Sequence, residues 1–298
     1  MSILVFCWVL ILLASTVYSF SPRDSQTSSA SRVLLHANGE SSANWWEPQW
    51  TDVEILSNKA ACASGRCRAI RVNAPESLQQ EYRAPGQYIQ VRNTGQDDQD
   101  QDDAPLLLCF LPIASSPRKD YFEFLVKDNN NEEKKWLLDL PVGTQLQLSG
   151  VLGKGFQPRE IPTMKPATTI MDAESIIMAC NGLGLASLKA AIESGRLPKG
   201  KLYYGERTAD DLCFADQFEE WEDEFGFQVI PVLSQKGDSD DVYREGYVQD
   251  ALAKDGLDGN PDQCYALVCG VMEMMDSVTD FLKGEGVSPT RIMLNLEA

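Results

Sequence analysis

Between residues 50 and 150 the apolar and polar positions alternate in short segments, at 52–56, 67–72, 88–92, 122–126 and 144–149, set apart by Pro-Gly and Asp/Asn turns. Successive side chains of a strand point to opposite faces, so this pattern predicts antiparallel strands closing into a small barrel. From residue 168 onward the rhythm changes. Apolar, β-branched runs at 175–179, 201–204, 228–232 and 265–269 alternate with helical-period stretches at 186–193, 209–224 and around 274–283. That alternation predicts a doubly wound parallel sheet with helices on both faces. The fold class is therefore all-β followed by α/β: a barrel over 50–156 and a nucleotide-binding type of domain over 168–298, joined by a segment at 157–166 that holds three prolines. Phe214, Phe218 and Trp221 recur at helical spacing and read as core.

Before the barrel, residues 3–14 are almost unbroken apolar, too short a run to span a hydrocarbon core of ~30 Å comfortably. Residues 1–19 are expected to be a cleavable signal peptide, with small or branched Val17 and Ser19 ahead of a cut before Phe20. The Ser-rich segment 20–44 carries Arg23 and Arg32, few acids and no periodicity, and reads as a transit peptide. A signal peptide followed by phenylalanine and a Ser/Arg-rich stretch resembles the bipartite plastid leaders of diatoms and other algae with complex plastids. The resemblance implies a plastid destination; plain secretion is the alternative, and no membrane attachment is expected once the leader is removed.

Charge narrows the function. With a formal charge of −18 and a pI near 4.4, the surface repels nucleic acid and anionic lipid. Part of the excess is the run Gln96-Asp97-Asp98-Gln99-Asp100-Gln101-Asp102-Asp103, a solvated loop or a docking surface for a basic partner. The only histidine, His36, precedes any core, so Ser-His-Asp and Cys-His catalysis and imidazole-bound zinc are not available to the folded part. There is no G-x-S-x-G elbow, phosphate loop or EF-hand spacing. The eight cysteines are scattered and mostly lie in apolar runs. Cys62 and Cys67 form one C-x-x-x-x-C pair, which leaves three readings open: plain thiols, a disulfide, or half of a metal site lacking a second pair of ligands.

Asn181-Gly182-Leu183-Gly184-Leu185-Ala186 follows an apolar strand and opens a helix. Glycine lets the backbone approach a pyrophosphate, and the unpaired N–H groups of the helix start face it. A tight turn without any ligand would also favour glycine.

Further strings extend this reading. Tyr82-Arg83-Ala84-Pro85-Gly86-Gln87-Tyr88-Ile89-Gln90-Val91 resembles the barrel strand that opens the flavin-binding half of the ferredoxin-NADP reductase superfamily. Leu111-Pro112-Ile113-Ala114-Ser115-Ser116-Pro117 resembles its flavin-contacting strand, and Leu152-Gly153-Lys154-Gly155-Phe156 its later glycine turn. Tyr203-Tyr204-Gly205-Glu206-Arg207 is similar to the motif at the adenosine end of the nucleotide, and Cys269-Gly270 with Met274 to the turn facing the nicotinamide. The motifs stand in family order, and the likeness is greatest to the plant and algal branch that includes a kiwifruit protein. It implies a flavin-type barrel and an NAD(P)H oxidoreductase passing electrons through FAD to an unidentified acceptor, with NADPH or NADH as donor. Tyr88, Pro112, Ile113, Ala114, Ser115, Gly153, Gly155 and Phe156 would then contact flavin. Gly182, Leu183, Gly184, Leu185, Arg207, Ser234, Gly270 and Met274 would contact the nucleotide, with Cys269 beside the point of hydride transfer. Cys269 is equally readable as a cysteine that ends a buried strand.

Where the family has an arginine and a tyrosine for the flavin's phosphate and ring, this chain has Cys109 and Leu111, with Pro112 in place of a serine. Leu183 and Ser187 replace a threonine and a proline, and Asn295-Leu296-Glu297-Ala298 lacks a terminal aromatic. The expected consequence is a weaker grip on flavin. A second reading follows, in which the fold persists as a nucleotide-binding sensor or assembly module. For the coenzyme, Arg207 suits a 2′-phosphate whereas Glu206 suits a ribose diol.

Overall fold

The alternation in the first half forms six strands: β1 (Thr51–Ala60), β2 (Cys67–Asn73), β3 (Tyr88–Asn93), β4 (Leu108–Pro112), β5 (Tyr121–Lys127) and β6 (Gln145–Leu148). In the computed structural model, which describes residues 48–94, 107–128, 132–156, 170–237 and 242–296, they pair antiparallel in the order β4-β3-β6-β1-β2-β5. The leader, the acidic run and the proline-bearing linker lie outside the described residues. An isolated bridge between Ile113 and Phe124 joins the two outer strands and closes the barrel. Val53, Ile55, Ile70, Val72, Ile89, Val91, Phe122, Phe124 and Leu146 fill it; each such side chain is worth about 1.5–3 kcal/mol when fully buried. Helix α1 (Glu76–Glu81) covers one end with Leu78, and Tyr82 follows it into the core. A single turn, α2 (Glu132–Lys135), precedes the buried Leu137 and Leu138.

Strand β4 departs from a clean alternation because residues 106–111 are apolar throughout except Cys109. Strand β5 departs for a different reason. Its five central residues are all buried: Phe122, Phe124 and Val126 face the barrel, while Leu125 joins a cluster shared with the second domain. A bulge between Ile55 and Ser57 in β1 similarly changes the facing of that strand, so Ala61 and Cys62 beyond its end pack toward the second domain.

The second half forms β7 (Ser175–Asn181), α3 (Leu185–Glu193), β8 (Gly200–Glu206), α4 (Phe218–Phe225), β9 (Phe227–Leu233), β10 (Arg244–Glu245), α5 (Val248–Asp255), β11 (Cys264–Gly270), α6 (Met272–Gly284) and β12 (Ile292–Leu296). The six strands are parallel in the order β10-β9-β8-β7-β11-β12. Helices α3 and α4 pack on the face that meets the barrel, and α5 and α6 on the other. The chain leaves β7 in one direction and returns to lie on its other side as β11, so the sheet reverses there. Clefts form beyond the carboxyl ends of strands at such a reversal.

The helical stretch expected at 209–224 is broken. It consists of single 3₁₀ turns at Ala209–Asp211 and Ala215–Gln217 and then α4, with Phe214 in a left-handed conformation at φ 56°. Its amide is held by the carbonyl of Ala61 from the barrel at 2.8 Å, a tertiary contact that interrupts the helix.

Candidate nucleotide and flavin site

At the carboxyl ends of β7, β8 and β9 and the start of α6 lies a cleft of about 430 Å³, lined among others by Asn181, Gly205, Arg207, Ser234, Tyr247 and Met274. The 3₁₀ turn Gly182–Gly184 leads from β7 into α3. A side chain at Gly182 would meet nothing within 4 Å, so its backbone is open to a ligand. Gly184 is needed for packing: a Cβ there would collide with the carbonyl of Cys269. On β11, Gly270 has φ +149°, and a Cβ would strike the Oδ1 of Asn181. That oxygen accepts the Val271 N–H at 3.0 Å and ties the ends of β7 and β11 together under the cleft.

Arg207 and Ser234 are exposed at the rim, where a nucleotide's adenosine end is expected. Glu206 behaves otherwise. Its carboxylate turns to the barrel and accepts two hydrogen bonds from Lys127 Nζ, at 3.0 and 2.8 Å, and one from Tyr204 OH at 3.2 Å. Burial outweighs Lys127 and holds the Glu206 carboxyl above the usual range. Burial likewise opposes charge on Lys127, but Glu206 prevails and raises the ammonium. Glu206 therefore lines the cleft with its carboxylate already engaged by Lys127 at the domain boundary.

Several anticipated site residues occupy other places. Cys269 is buried at 1% exposure and is not part of the cleft wall; Asn181, Val271 and Met274 take that position. Leu183 and Leu185 are buried and anchor the start of α3 in the core. Ile113 and Ala114 are also core residues, and the Ser115 hydroxyl donates to the Tyr121 carbonyl and accepts the Glu123 N–H. These side chains brace the site from behind, since β4 and the residues after it are covered on the inner face.

The same strand alternation corrects the flavin face. Cys109 and Leu111 pair with Val91 and Ile89 and point into the barrel, while Leu108 and Phe110 point outward, each 40% exposed. Phe110 lies 6.0 Å from Tyr88, centroid to centroid. Beneath Tyr88 is Gly153 at φ +77°, where a Cβ would stand 2.8 Å from the ring. Pro112 is buried next to Tyr88 in register. Tyr88, Phe110 and Gly153 thus make an exposed aromatic shelf that fits a flat apolar ring system. The turn beside it is held by Gln87, which accepts from the amides of Arg83 (2.8 Å) and Ala84 (3.0 Å) and donates to the Gly153 carbonyl (2.9 Å). Gly155 and Phe156 pack under Pro85 and Gly86. A second cleft of about 190 Å³ opens at this turn, with Arg83, Phe156, Arg196 and Met293 in its wall.

Residues 183–280 match the family model described as oxidoreductase NAD-binding domain. The fold matches a ferredoxin NADP⁺ reductase from Neisseria gonorrhoeae with bound FAD and NADP, at a TM-score of 0.66 and 16% identity over 84% of this chain and 99% of that one. The chain thus has the two-part fold of that reductase, with a match to an NAD-binding oxidoreductase domain in its second half. In sequence, the chain is 27% identical to fruit protein pKIWI502 of Actinidia deliciosa, covering 82% of this chain and 76% of the relative. It is 27% identical to the 2-halobenzoate 1,2-dioxygenase electron transfer component of Burkholderia cepacia, over 69% of this chain and 56% of that protein.

Tyr247 and Glu273 in the cleft wall, Phe110 beside Tyr88, and Asn295 behind the Gly86 turn are positions the sequence motifs did not point to. Asn295 Nδ2 donates to the Gly86 carbonyl at 2.9 Å and the Ser187 hydroxyl at 3.2 Å, linking the last strand to the barrel turn. Ser187, in the place of the family's proline, supplies that acceptor. Tyr247 follows the two-residue strand β10, which is too short to leave a periodic signal.

Proposed function

We propose that this protein is an NAD(P)H-dependent oxidoreductase that passes electrons from a pyridine nucleotide through FAD to a separate acceptor, with NADPH as the preferred donor. The carrying observation is the cleft at the sheet reversal, where Arg207 is exposed, the carboxylate of the neighbouring Glu206 is already bound by Lys127, and the backbone of Gly182 after β7 stands open. An exposed guanidinium whose neighbouring carboxylate is engaged elsewhere favours a 2′-phosphate. Backbone N–H groups at the start of α3 would receive the pyrophosphate, and Asn181 and Met274 would position the nicotinamide.

On the barrel side, Tyr88, Phe110 and Gly153 would hold the flavin ring and Arg83 its phosphates. Bound flavin supplies the chemistry, accepting a hydride and releasing electrons singly or in pairs. The chain's task is orientation and exclusion of water. No protein nucleophile or proton donor is required, in keeping with a buried Cys269. The names of the Neisseria and Burkholderia relatives, one a reductase with bound FAD and NADP and one an electron transfer component, support this reading.

The leader supports delivery to a plastid. The net charge of −18 disfavours a strongly acidic acceptor and suits a neutral or basic one.

The test is to purify the protein, add FAD, record the visible spectrum and measure reduction of an artificial dye with NADPH and with NADH. The expected result is flavin absorption and turnover that is faster with NADPH. A colourless protein without turnover, yet binding NADPH by calorimetry, would replace this proposal with the nucleotide-sensing reading.

A further inference from the structure

The pair Cys62 and Cys67 acquires a third member only in the folded chain. Cys62 follows β1, Cys67 begins β2, and Cys213 comes from the broken segment between β8 and α4 in the other domain. Their three sulfurs all lie within 4.8 Å of one another, and each residue is buried. None of the seven described cysteines is in a disulfide.

The surroundings hold these sulfurs together. The Ala61 amide donates to the Cys67 carbonyl at 2.8 Å and closes the hairpin. The Ser64 amide donates to the Asp210 carbonyl at 2.8 Å, the Ser64 hydroxyl to Asp211 at 2.9 Å, and the Phe214 amide to the Ala61 carbonyl at 2.8 Å. Three hydrogen bonds between domains therefore frame the cluster. Phe214, next to Cys213, adopts its left-handed backbone at φ 56° within this frame; such a conformation persists in a residue other than glycine only where neighbours enforce it.

We propose that Cys62, Cys67 and Cys213 bind one thiophilic metal ion, of the zinc(II) or copper(I) class, and that the ion fastens the barrel hairpin to the nucleotide-binding domain. Soft thiolate donors select these ions. Sulfurs bound to one zinc at about 2.3 Å each would sit within 4.6 Å of one another, close to the spacing present. Binding replaces three thiol protons, which leave to solvent, and no oxidation occurs. Zinc would complete four-coordination with water, whereas copper(I) needs no fourth ligand.

The experiment uses the full chain, reduced and stripped of metal under anaerobic conditions. It is titrated separately with zinc(II) and with copper(I) against a chromophoric chelator. Retention of one equivalent of either ion, lost in Cys62→Ser and in Cys213→Ser and kept in Cys264→Ala, is expected; the ion retained identifies the class. Because Cys213→Ser could fail to fold, the wild-type protein is also alkylated with and without metal, and protection of these three thiols against alkylation is expected. Retention no greater than in Cys62→Ser, or no protection, would overturn the proposal. So would a disulfide between any two of the three in freshly isolated protein.

Discussion

Lys189 Nζ on α3 lies 2.8 Å from Glu123 Oε2 on β5, with the two side chains only 2% and 1% exposed, across the boundary between the two domains. Arg71 takes the other Glu123 oxygen at 2.6 Å, and Lys189 also pairs with Glu193 at 2.7 Å. Removing one member of a buried ion pair leaves an uncompensated charge, at about 3–5 kcal/mol. Lys189→Met is expected to destabilise the protein by about 3 kcal/mol, near the lower end because Arg71 still serves Glu123. Adding Glu123→Gln should recover part of the loss. Urea unfolding of the single and double variants measures both.

The same pair sets a pH dependence. Burial disfavours the charged Glu123, yet Lys189 and Arg71 prevail and hold its carboxyl below the usual range. The stability it contributes is present above the unfolded carboxylate value, about 4.3, and is lost as pH falls through the lower folded value. Lys189 is raised, burial being outweighed by Glu123 and Glu193. Its contribution is full below about 10.4 and is lost as pH rises through the folded value. Denaturant midpoints across pH should show both edges in the wild type, and Glu123→Gln should flatten the acid one.

Arg207 is expected to set coenzyme preference. Arg207→Gln should raise KM for NADPH by about 10- to 100-fold, the worth of a charge-assisted hydrogen bond. KM for NADH should stay within about two-fold of wild type. Steady-state kinetics with both donors decides it; equal loss with both would place Arg207 elsewhere than at the 2′-phosphate.

Phe110 is exposed, and its ring lies tilted beside that of Tyr88 at 6.0 Å between centroids. Phe110→Ala removes half of the aromatic shelf and should weaken FAD binding by about ten-fold, with the fold unchanged. Fluorescence titration with FAD reads it, with Leu111→Ala as contrast. Leu111 is in the core, so its loss should cost about 2–5 kcal/mol of stability.

Gly270→Ala would force a methyl group against Asn181 Oδ1 and Met274 at the end of β11. The strand ends would separate, with loss of the 3.0 Å Val271–Asn181 bond. The expected outcome is a rise in KM for the nucleotide of at least ten-fold, measured alongside circular dichroism to show that the fold persists.

The alternation of strands and the switch to a β-helix rhythm were legible because each strand or helix face must match its own period. β2, β3, β5, β7, β8, β9 and β11 emerge within a residue or two of the expected segments. β10, α5 and β12 were not legible, being short or adjoining segments without a clear period. The glycine turn at 182–184 was legible from its residue types, Gly182 because its φ of 55° favours glycine and Gly184 because the Cys269 carbonyl packs against it.

By itself the sequence determined the two-part architecture and the position of the glycine turn after β7, since these depend on local period and composition. The tertiary structure alone decided which face each side chain took. Cys109 and Leu111 turned inward and Phe110 outward through strand pairing; the Glu206 carboxylate took Lys127 as its partner; and Cys213 came to join Cys62 and Cys67. Partners far apart along the chain leave no trace in local pattern, because packing between the two domains brings them together only after both have folded.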